Sequence, residues 1–328
     1  MSLAEAWLDS RSPHQQTTRA GPPGPVSTTD HRKPLPVTTS LNRRLRQSLV
    51  PGAGLLMPGA GNALAARIIE ATGHPMLLVS GAAITNSYLG APDIGLISLA
   101  ELVNHTAAIR NAVDIPILVD CDTGFGNPIN VRQTVRAVER AGANAIFIED
   151  QTYPKRCGHF DNQEVIPKAE MVQKIKAAVD ARTDADMMIL ARTDARSAEG
   201  LEQAFDRARA YQEAGADMLF IEAPRSVEEL AAIPREVPGI HICNMGIGGK
   251  TPLLHQQELG RMGYAIVAYA NAALQAAMLG MQQVLQHLHD HGSIEGAEDK
   301  IMSFQDRQAH IGADFYRELA DKYGTRRQ

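Results

Sequence analysis

Cysteine is scarce in this sequence, and its scarcity excludes a scaffold built on disulfides. The 328 residues contain only Cys121, Cys157 and Cys243, an odd number without a CxxC pair. Small secreted domains and structural zinc sites need more cysteines, or cysteines at regular spacing. We therefore expect a reducing compartment, with the cytoplasm as the location.

Long apolar runs and an excess of basic charge are also missing. No apolar run reaches the roughly 18–20 residues of a membrane helix, and we find no basic start followed by an apolar stretch, as in a secretory signal. The 32 basic residues are outnumbered by 37 acidic ones, and the pI is near 6.1. We expect neither nucleic acid nor a membrane as a partner, because the proteins that bind them carry basic surfaces.

The first 40 positions contain few apolar residues and differ in composition from the rest of the chain. Six prolines fall there, among many Ser, Thr and Gln residues. Such a segment buries too little apolar surface to offset the entropy lost on ordering. We predict a disordered tail over residues 1–40.

From about Leu41 onward, short apolar runs alternate with amphipathic stretches of helical length. Strict alternation of this kind predicts a parallel sheet covered by helices. Eight repeats favour a closed (β/α)₈ TIM barrel over residues 41–290, and a doubly wound open sheet is the alternative. The predicted strands are Gly54–Met57, Met76–Ser80, Pro116–Asp120, Ala145–Glu149, Met187–Arg192, Asp217–Glu222, His241–Asn244 and Tyr264–Ala268.

Further helical sequence follows the eighth run, where a complete barrel has no face left to cover. Asn271–His289 predicts a long helix, Gly292–Gly296 breaks it, and Ile301–Tyr323 predicts helix again with several large apolar side chains. We expect these extra C-terminal helices, within residues 291–328, to pack on a partner subunit.

Polar side chains end six of the eight predicted strands, where barrels of this kind place their chemistry. Asp120 and Asp122 point to the same side of an extended strand, and Glu149 and Glu222 end later strands. Four acids at one mouth repel each other unless a cation neutralises them. Oxygen ligands without a His or Cys cluster favour Mg²⁺, with Mn²⁺ as a substitute. A salt-bridge network with Arg192 is the alternative.

A cysteine among basic residues follows the fourth predicted strand. In the sequence Lys155-Arg156-Cys157-Gly158-His159, the neighbouring positive charges stabilise the thiolate. Gly158 gives the loop freedom to close over a substrate, where Cys157 can act as a general acid or base. A solvated basic loop with an incidental cysteine is the alternative.

Two further features have the chemistry to hold anions. Ser80-Gly81-Ala82 follows the second predicted strand, and its backbone N–H groups and hydroxyl can hold a carboxylate; a plain turn is the alternative. Arg192 can bind a carboxylate through its guanidinium fork or stabilise a developing negative charge. The glycine-rich stretch at 246–252 lacks P-loop spacing, so we reject nucleotide binding.

Taken together, these motifs resemble those of the isocitrate lyase/phosphoenolpyruvate mutase superfamily. They are DCDTGFG at 120–126, IEDQ at 148–151, KRCGH at 155–159, ARTD at 191–194 and NMGIGGKTP at 244–252. The resemblance extends from roughly Leu41 to the C-terminus. The KRCGH loop is typical of the short branch that contains 2-methylisocitrate lyase, 2,3-dimethylmalate lyase, oxaloacetate acetylhydrolase and carboxyphosphonoenolpyruvate mutase.

The resemblance implies a metal site and a place for the substrate carboxylate. Asp122 matches the residue that meets Mg²⁺ most directly, and the water shell of the ion is held by the residues matching Asp120, Glu149 and Asp93. Ser80, Gly81 and Ala82 match the small residues that hold the α-carboxylate of the substrate.

The resemblance also implies catalytic and assembly features. Arg192 matches an arginine that faces the reacting oxygen, while Glu222 and Asn244 match residues on the far side of the pocket. Cys157 matches the catalytic cysteine of the lyases, with Lys155 and His159 beside it in a gating loop. Family members exchange a C-terminal helix between subunits, which implies a homotetramer of helix-swapped dimers.

Two positions depart from the family pattern. Leu78 stands where lyases acting on 2-methylisocitrate carry a tyrosine, and Ile247 stands where many relatives carry a glutamate. Loss of a polar pocket group changes which distal substituent fits.

The predicted function is a Mg²⁺-dependent carbon–carbon lyase. It would cleave a small 2-hydroxy dicarboxylic or tricarboxylic acid, of the 2,3-dimethylmalate or 2-methylisocitrate type, into a 2-oxo acid and a carboxylic acid. Hydrolysis or decarboxylation of oxaloacetate and carboxyphosphonoenolpyruvate mutase chemistry are alternatives on the same site. A barrel that binds a dicarboxylate without turnover is the alternative from another class.

Overall fold

Eight parallel strands form a closed barrel in the computed structural model, which describes residues 40–155 and 163–324. Each strand pairs with the next along the chain, and β1 pairs with β8 to close the ring. The TIM barrel is therefore confirmed, and the open sheet is excluded by this closure. The strands are β1 Leu55–Ala60, β2 Leu77–Val79, β3 Ile117–Asp120, β4 Ala145–Glu149, β5 Met188–Thr193, β6 Met218–Ile221, β7 His241–Asn244 and β8 Tyr264–Tyr269.

Helices cover the outside of the barrel and extend beyond it. A π-helical turn, Thr85–Leu89, follows the third helix, and a 3₁₀ turn, Glu298–Lys300, lies among the last three helices. The helices are α1 Leu41–Ser48, α2 Ala63–Ala71, α3 Gly81–Ile84, α4 Leu99–Arg110, α5 Pro128–Arg140, α6 Lys168–Ala181, α7 Ala195–Ala198, α8 Leu201–Glu213, α9 Val227–Glu236, α10 Gln256–Met262, α11 Ala272–His291, α12 Phe304–His310 and α13 Ala313–Lys322.

Helix α5 shows how local sequence sets these elements. Asn127 caps its N-terminus by accepting hydrogen bonds from the N–H groups of Ile129 and Asn130, and Pro128 occupies the first helical position. Proline is favoured there because the first N–H of a helix has no partner within the helix. Valines at positions 131, 135 and 138 follow the helical period and are buried against the barrel.

The core has two parts, one outside and one inside the ring of strands. Inside, apolar side chains such as Leu118, Phe147 and Met188 fill the barrel. Leu45 and Leu49, from α1 and its C-cap, belong to the same interior cluster. The sequence rhythm did not predict α1, whose apolar residues pack inside the barrel instead of covering a strand.

The C-terminal helices differ from the prediction in one respect. Helix α11 ends as expected, at Gly292 in the left-handed conformation (φ 68°). The helical segment expected over 301–323 consists of two helices, α12 and α13, because Gly312 adopts φ 72° between them. Within the described ranges, no helix combines the length and apolar character needed to cross a bilayer.

Candidate active site

The two aspartates after β3 lie together, but not for the reason expected. Strand β3 ends at Asp120, and Asp122 adopts φ 47° in the turn that follows. The extended-strand argument was therefore wrong, since Asp122 lies beyond the strand. The turn folds back so that the Asp122 N–H donates to Asp120 Oδ1 at 3.0 Å. The backbone thus fixes both acids at the C-terminal rim.

Gly81 lies against both acids, which explains why a residue without a side chain stands there. A Cβ at this position would lie 3.1 Å from Asp120 Oδ2 and 3.3 Å from Asp122 Oδ1. The Gly81 N–H already donates to Asp120, and Ser80 Oγ caps the short helix α3 by accepting from the Ala83 N–H. Ser80 and Ala82 line the cavity, while the N–H of Gly81 holds an acid of the chain itself.

Lys155 supplies a positive charge inside the acidic cluster. Its Nζ lies 2.5 Å from Asp93 Oδ1 and 2.8 Å from Asp122 Oδ1, and only 4% of the side chain is exposed. Sequence reasoning placed Lys155 beside Cys157 in the loop and Asp93 in the water shell of the metal. In the structure, Lys155 and Asp93 form an ion pair at the rim. Cys157 and His159 themselves lie outside the described residues.

Arg192 joins three acids at the ends of β4, β5 and β6. Its Nε and Nη2 donate to Asp194 at 3.0 and 2.9 Å. Its Nη1 lies 3.3 Å from Glu149 Oε2 and 3.8 Å from Glu222 Oε2. The guanidinium also lies over the ring of Phe220, 5.3 Å from its centroid. The salt-bridge network considered as an alternative is therefore present, and the fork of Arg192 is held by Asp194.

A buried network behind the rim fixes Asp194. Asp150 accepts hydrogen bonds from Thr193 Oγ1 at 2.7 Å, from the Asp194 N–H at 2.9 Å and from the Tyr211 hydroxyl at 2.7 Å. Arg207 Nη1 lies 3.3 Å from the same carboxylate. Sequence reasoning missed these positioning roles, although Asp150 and Asp194 stand inside the IEDQ and ARTD motifs.

The electrostatics of the rim favour an additional cation. Burial, and then the charge of Asp122, raise the pKa of Asp120 to about 7. Burial also raises the pKa of Asp122 and of Glu149. Burial lowers the pKa of Lys155, but the surrounding carboxylates outweigh it and hold the pKa well above its ordinary value. The acids thus exceed what the neighbouring cations neutralise.

The donor set fits a water-rich magnesium site. Glu149 Oε1 is buried and has no hydrogen-bond partner in the described part of the chain. In that part, no three His, Cys, Asp or Glu side chains form a ready-made metal cluster. Mg²⁺ keeps several waters and needs only one or two carboxylates. Asp120, Asp122 and Glu149 can therefore bind Mg²⁺ together with water, without a closed cage of protein ligands around the ion.

The far wall and the floor complete a cavity of about 680 Å³, a volume that includes its open mouth. Glu222 and Asn244 line this cavity, and so does Asn271, which was not foreseen. Leu78 lines the apolar floor. Ile247 does not line the cavity and is 63% exposed. The presence of isoleucine instead of glutamate at this position therefore leaves the described wall of the cavity unchanged.

Comparison with known proteins assigns the chain to a family. The phosphoenolpyruvate phosphomutase family model matches residues 45–289. The chain is 40% identical over 284 residues to 2,3-dimethylmalate lyase of Eubacterium barkeri, covering 87% of this chain and 98% of that protein. It is 45% identical over 247 residues to 2-methylisocitrate lyase of Aeropyrum pernix, covering 75% and 79% respectively.

Solved structures agree with this assignment. Oxaloacetate acetylhydrolase bound to 3,3-difluorooxalacetate superposes with a TM-score of 0.82 at 31% identity, covering 87% of this chain and 97% of that one. Phosphonopyruvate hydrolase with oxalate and Mg²⁺ gives 0.78 at 31% identity, covering 87% and 99%. The chain is thus an enzyme of the lyase and mutase type. It belongs to the phosphoenolpyruvate phosphomutase family, within the PEP mutase/isocitrate lyase superfamily.

Proposed function

We propose that this enzyme cleaves, with Mg²⁺, the carbon–carbon bond next to the carboxylate-bearing carbon of a small 2-hydroxy acid. The observation that carries the proposal is the convergence of Asp120, Asp122, Glu149 and Arg192 at one rim of the barrel. The chain is 40% identical over 284 residues to a 2,3-dimethylmalate lyase, which makes a methylated malate the leading substrate.

The acids of β3 and β4 would hold the metal ion. Asp122 would contact it, while Asp120, Glu149 and Asp93 would hold its water shell. When bound, Mg²⁺ supplies Lewis-acid polarisation of the substrate oxygens; Mn²⁺ is a suitable substitute because it accepts the same oxygen ligands. Lys155 keeps Asp93 and Asp122 in place by its ion pairs.

The remaining residues would carry the proton and charge transfers. A base, for which we propose Glu222, removes the hydroxyl proton, and the carbon–carbon bond breaks to leave a 2-oxo acid. The bonding electrons pass to the second fragment, whose negative charge is stabilised by the Nη1 edge of Arg192. Cys157, with His159 beside it, then delivers a proton to the carbon that was released. Ser80, Gly81 and Ala82 border the α-carboxylate.

A substrate screen tests this function. Oxaloacetate, methylated malates and 2-methylisocitrate are incubated with the enzyme and Mg²⁺, and release of pyruvate or glyoxylate is measured. We expect cleavage of a methylated malate, its loss when divalent ions are chelated, and a large decrease in the Cys157→Ser variant. Undiminished turnover without divalent ions would refute the metal site, and undiminished turnover of Cys157→Ser would refute its role as proton donor.

Hydrolysis of oxaloacetate is a second candidate. It is favoured by the similarity to oxaloacetate acetylhydrolase, at a TM-score of 0.82. Release of oxalate and acetate from oxaloacetate, without pyruvate, would identify this reaction.

Mutase chemistry is a third candidate. It is favoured by 38% identity to carboxyvinyl-carboxyphosphonate phosphorylmutase of Arabidopsis thaliana, and phosphorus-31 spectroscopy would detect it. Binding of a dicarboxylate without any product would instead indicate a non-catalytic barrel.

The assembly we propose is a homotetramer of helix-swapped dimers. Its support is the state of α11, α12 and α13, none of which has a fully buried residue in the isolated chain. Small carboxylic acids are the only other partners we propose. For location we propose the cytoplasm, since Cys121 and Cys243 are free thiols.

A further inference from the structure

The turn after β3, residues 121–126, has an uncommon backbone conformation. Asp122 and Phe125 both have positive φ angles, 47° and 60°. Residues other than glycine seldom adopt positive φ, because the side chain then crowds the backbone. Such a conformation persists where contacts from the surrounding structure impose it. The contacts of this turn therefore determine where the carboxylate of Asp122 lies.

A second cavity borders this turn, so close packing of side chains surrounds it only in part. Asp122, Thr123 and Phe125 line that cavity, which measures about 800 Å³ including its open mouth. Thr134 of α5 lies on its wall as well. A segment next to open space can relax unless other contacts oppose it. The hydrogen bonds of the backbone must therefore supply much of the restraint on this turn.

Three consecutive carbonyl groups of the turn, those of residues 122–124, each accept a hydrogen bond from a different element. The first accepts from the N–H of Glu149, at the end of β4, at 2.9 Å. The second accepts from Lys174 Nζ on α6, and the third from Thr134 Oγ1 on α5, both at 3.1 Å. Helices α5 and α6 thus each contribute one side chain that restrains the turn.

Lys174 has an environment that lysine rarely occupies. Only 4% of the residue is exposed, and in the described part of the chain its Nζ donates to a backbone carbonyl, that of Thr123, rather than to a carboxylate. Buried lysines are usually paired with an acid, because burial of an unpaired ammonium is costly. Burial accordingly lowers the pKa of Lys174. An apolar side chain would fill the same space at a lower cost, so packing alone does not account for a lysine here.

Thr134 makes an equally specific contact with the turn. It is fully buried on α5, and its hydroxyl donates to the carbonyl of Gly124, ten positions earlier in the chain. A threonine in a helix can instead donate to the carbonyl four residues before it. Thr85 does so, since its Oγ1 donates to the carbonyl of Gly81. The hydroxyl of Thr134 is thus directed out of its own helix and toward the turn.

We propose that Lys174 and Thr134 are positioning residues, whose hydrogen bonds to consecutive carbonyls hold the turn of residues 121–126 so that the carboxylate of Asp122 meets the cation at the rim. Neither side chain lines the cavity at the rim, so both act through the backbone of the turn and not by contact with the substrate. This inference deepens the proposed function and rests on it for the role of Asp122 toward Mg²⁺.

Hydrogen exchange in the metal-free protein tests the restraint on the turn. Lys174→Met keeps most of the length of the side chain but removes the donor. The backbone amides of residues 121–126 should exchange roughly tenfold faster, measured by mass spectrometry, because a hydrogen bond from a charged group is lost. The amides of α9 should exchange as in wild type. The matched control is Lys176→Met, at an exposed position of the same helix, which should leave both segments unchanged.

Calorimetry then relates the turn to the metal. Lys174→Met should bind Mg²⁺ roughly tenfold more weakly than wild type, and saturating Mg²⁺ should restore most of the turnover, because Asp122 itself is kept. Unchanged exchange over residues 121–126, or unchanged Mg²⁺ affinity, in a folded Lys174→Met variant would overturn the inference. If wild type binds no Mg²⁺, the proposed function fails, and the exchange comparison still decides whether the two side chains hold the turn.

A pair of Thr134 variants guards against loss of the fold in Lys174→Met. Thr134→Val removes the hydroxyl at nearly constant shape, whereas Thr134→Ser keeps it. Thr134→Val should speed exchange over residues 121–126 and weaken Mg²⁺ binding, each by about fivefold, and Thr134→Ser should behave as wild type. Equal exchange and equal Mg²⁺ affinity in the two folded variants would count against the positioning role.

Discussion

The charged rim at the ends of β3 to β6 and the C-terminal helices α11 to α13 differ in how far their side chains find partners within the chain. At the rim, Lys155 and Arg192 each contact acids from other parts of the chain. The helices instead expose large apolar side chains, among them Met281, Leu285 and Phe304. The barrel thus supplies part of the counter-charge that its acids need, while the large apolar side chains of the helices stay exposed in this chain.

This difference has a physical cause. A buried charge without a partner costs several kcal/mol, so the folded chain must pair its acids at the rim or leave them for a cation. An exposed apolar side chain costs far less and gains roughly 25 cal/mol per Å² when it is covered later. The charges at the rim must therefore find partners when the chain folds, whereas the apolar side chains of the helices can stay exposed at a lower cost. Four changes would break or sharpen this contrast.

The largest effect is expected from Asp122→Ala. This change removes the acid nearest to the proposed metal and one partner of Lys155. Turnover should fall by about 10³-fold, as for loss of a central electrostatic group in other enzymes, and the affinity for Mg²⁺ measured by calorimetry should fall with it. The matched control is Asp206→Ala, an exposed acid paired with Lys168, which should change neither quantity. Retained Mg²⁺ affinity in Asp122→Ala would contradict the assignment.

Asp194→Asn should have the next largest effect. It weakens the two-point hold of the Asp194 carboxylate on Arg192 and keeps the backbone N–H that donates to Asp150. We expect kcat to fall about 10²-fold and the free energy of unfolding to fall by about 3 kcal/mol, measured by denaturant titration. Glu236→Gln, which alters an exposed pair with Arg235, is the control and should be neutral. An unchanged kcat would show that Arg192 needs no such support.

Leu285→Glu probes the exposed face of α11. A charge placed there should prevent another subunit from covering the apolar surface. We expect light scattering to report a smaller assembly than for wild type, with the barrel still folded by circular dichroism. Gln282→Glu adds the same charge at a polar exposed position of the same helix and should leave the assembly intact. A monomeric wild-type protein would remove the basis of the tetramer proposal.

The smallest effect is a pH dependence of stability in metal-free protein. The pKa of Asp120 is about 7 in the fold, against an ordinary value of 3.8. The folded state then binds the proton more tightly than the unfolded state, so stability should fall as pH rises from about 4 to about 7. Thermal melts in chelator should show this decline, and added Mg²⁺ should oppose it most at pH 7. Asp120→Asn should flatten the profile; an unaltered slope in this variant would assign the effect elsewhere.

Much of the fold could be predicted from local sequence. Strands β4 and β7 have the bounds that the apolar runs predicted. These elements could be predicted because their signals lie within a few consecutive residues. Helix α1 could not, because its two buried leucines contact the interior of a barrel formed by residues far along the chain.

The candidate site likewise has features that the sequence predicts and features that it does not. The sequence by itself determined which acids end the strands, since a closed barrel brings the ends of all its strands to one rim. Only the tertiary structure decided that Lys155 pairs with Asp93, 62 positions away, and that Asn271 faces the cavity. Such contacts depend on distances between side chains from different elements. Local patterns carry no information on those distances, so they are set only when the barrel closes.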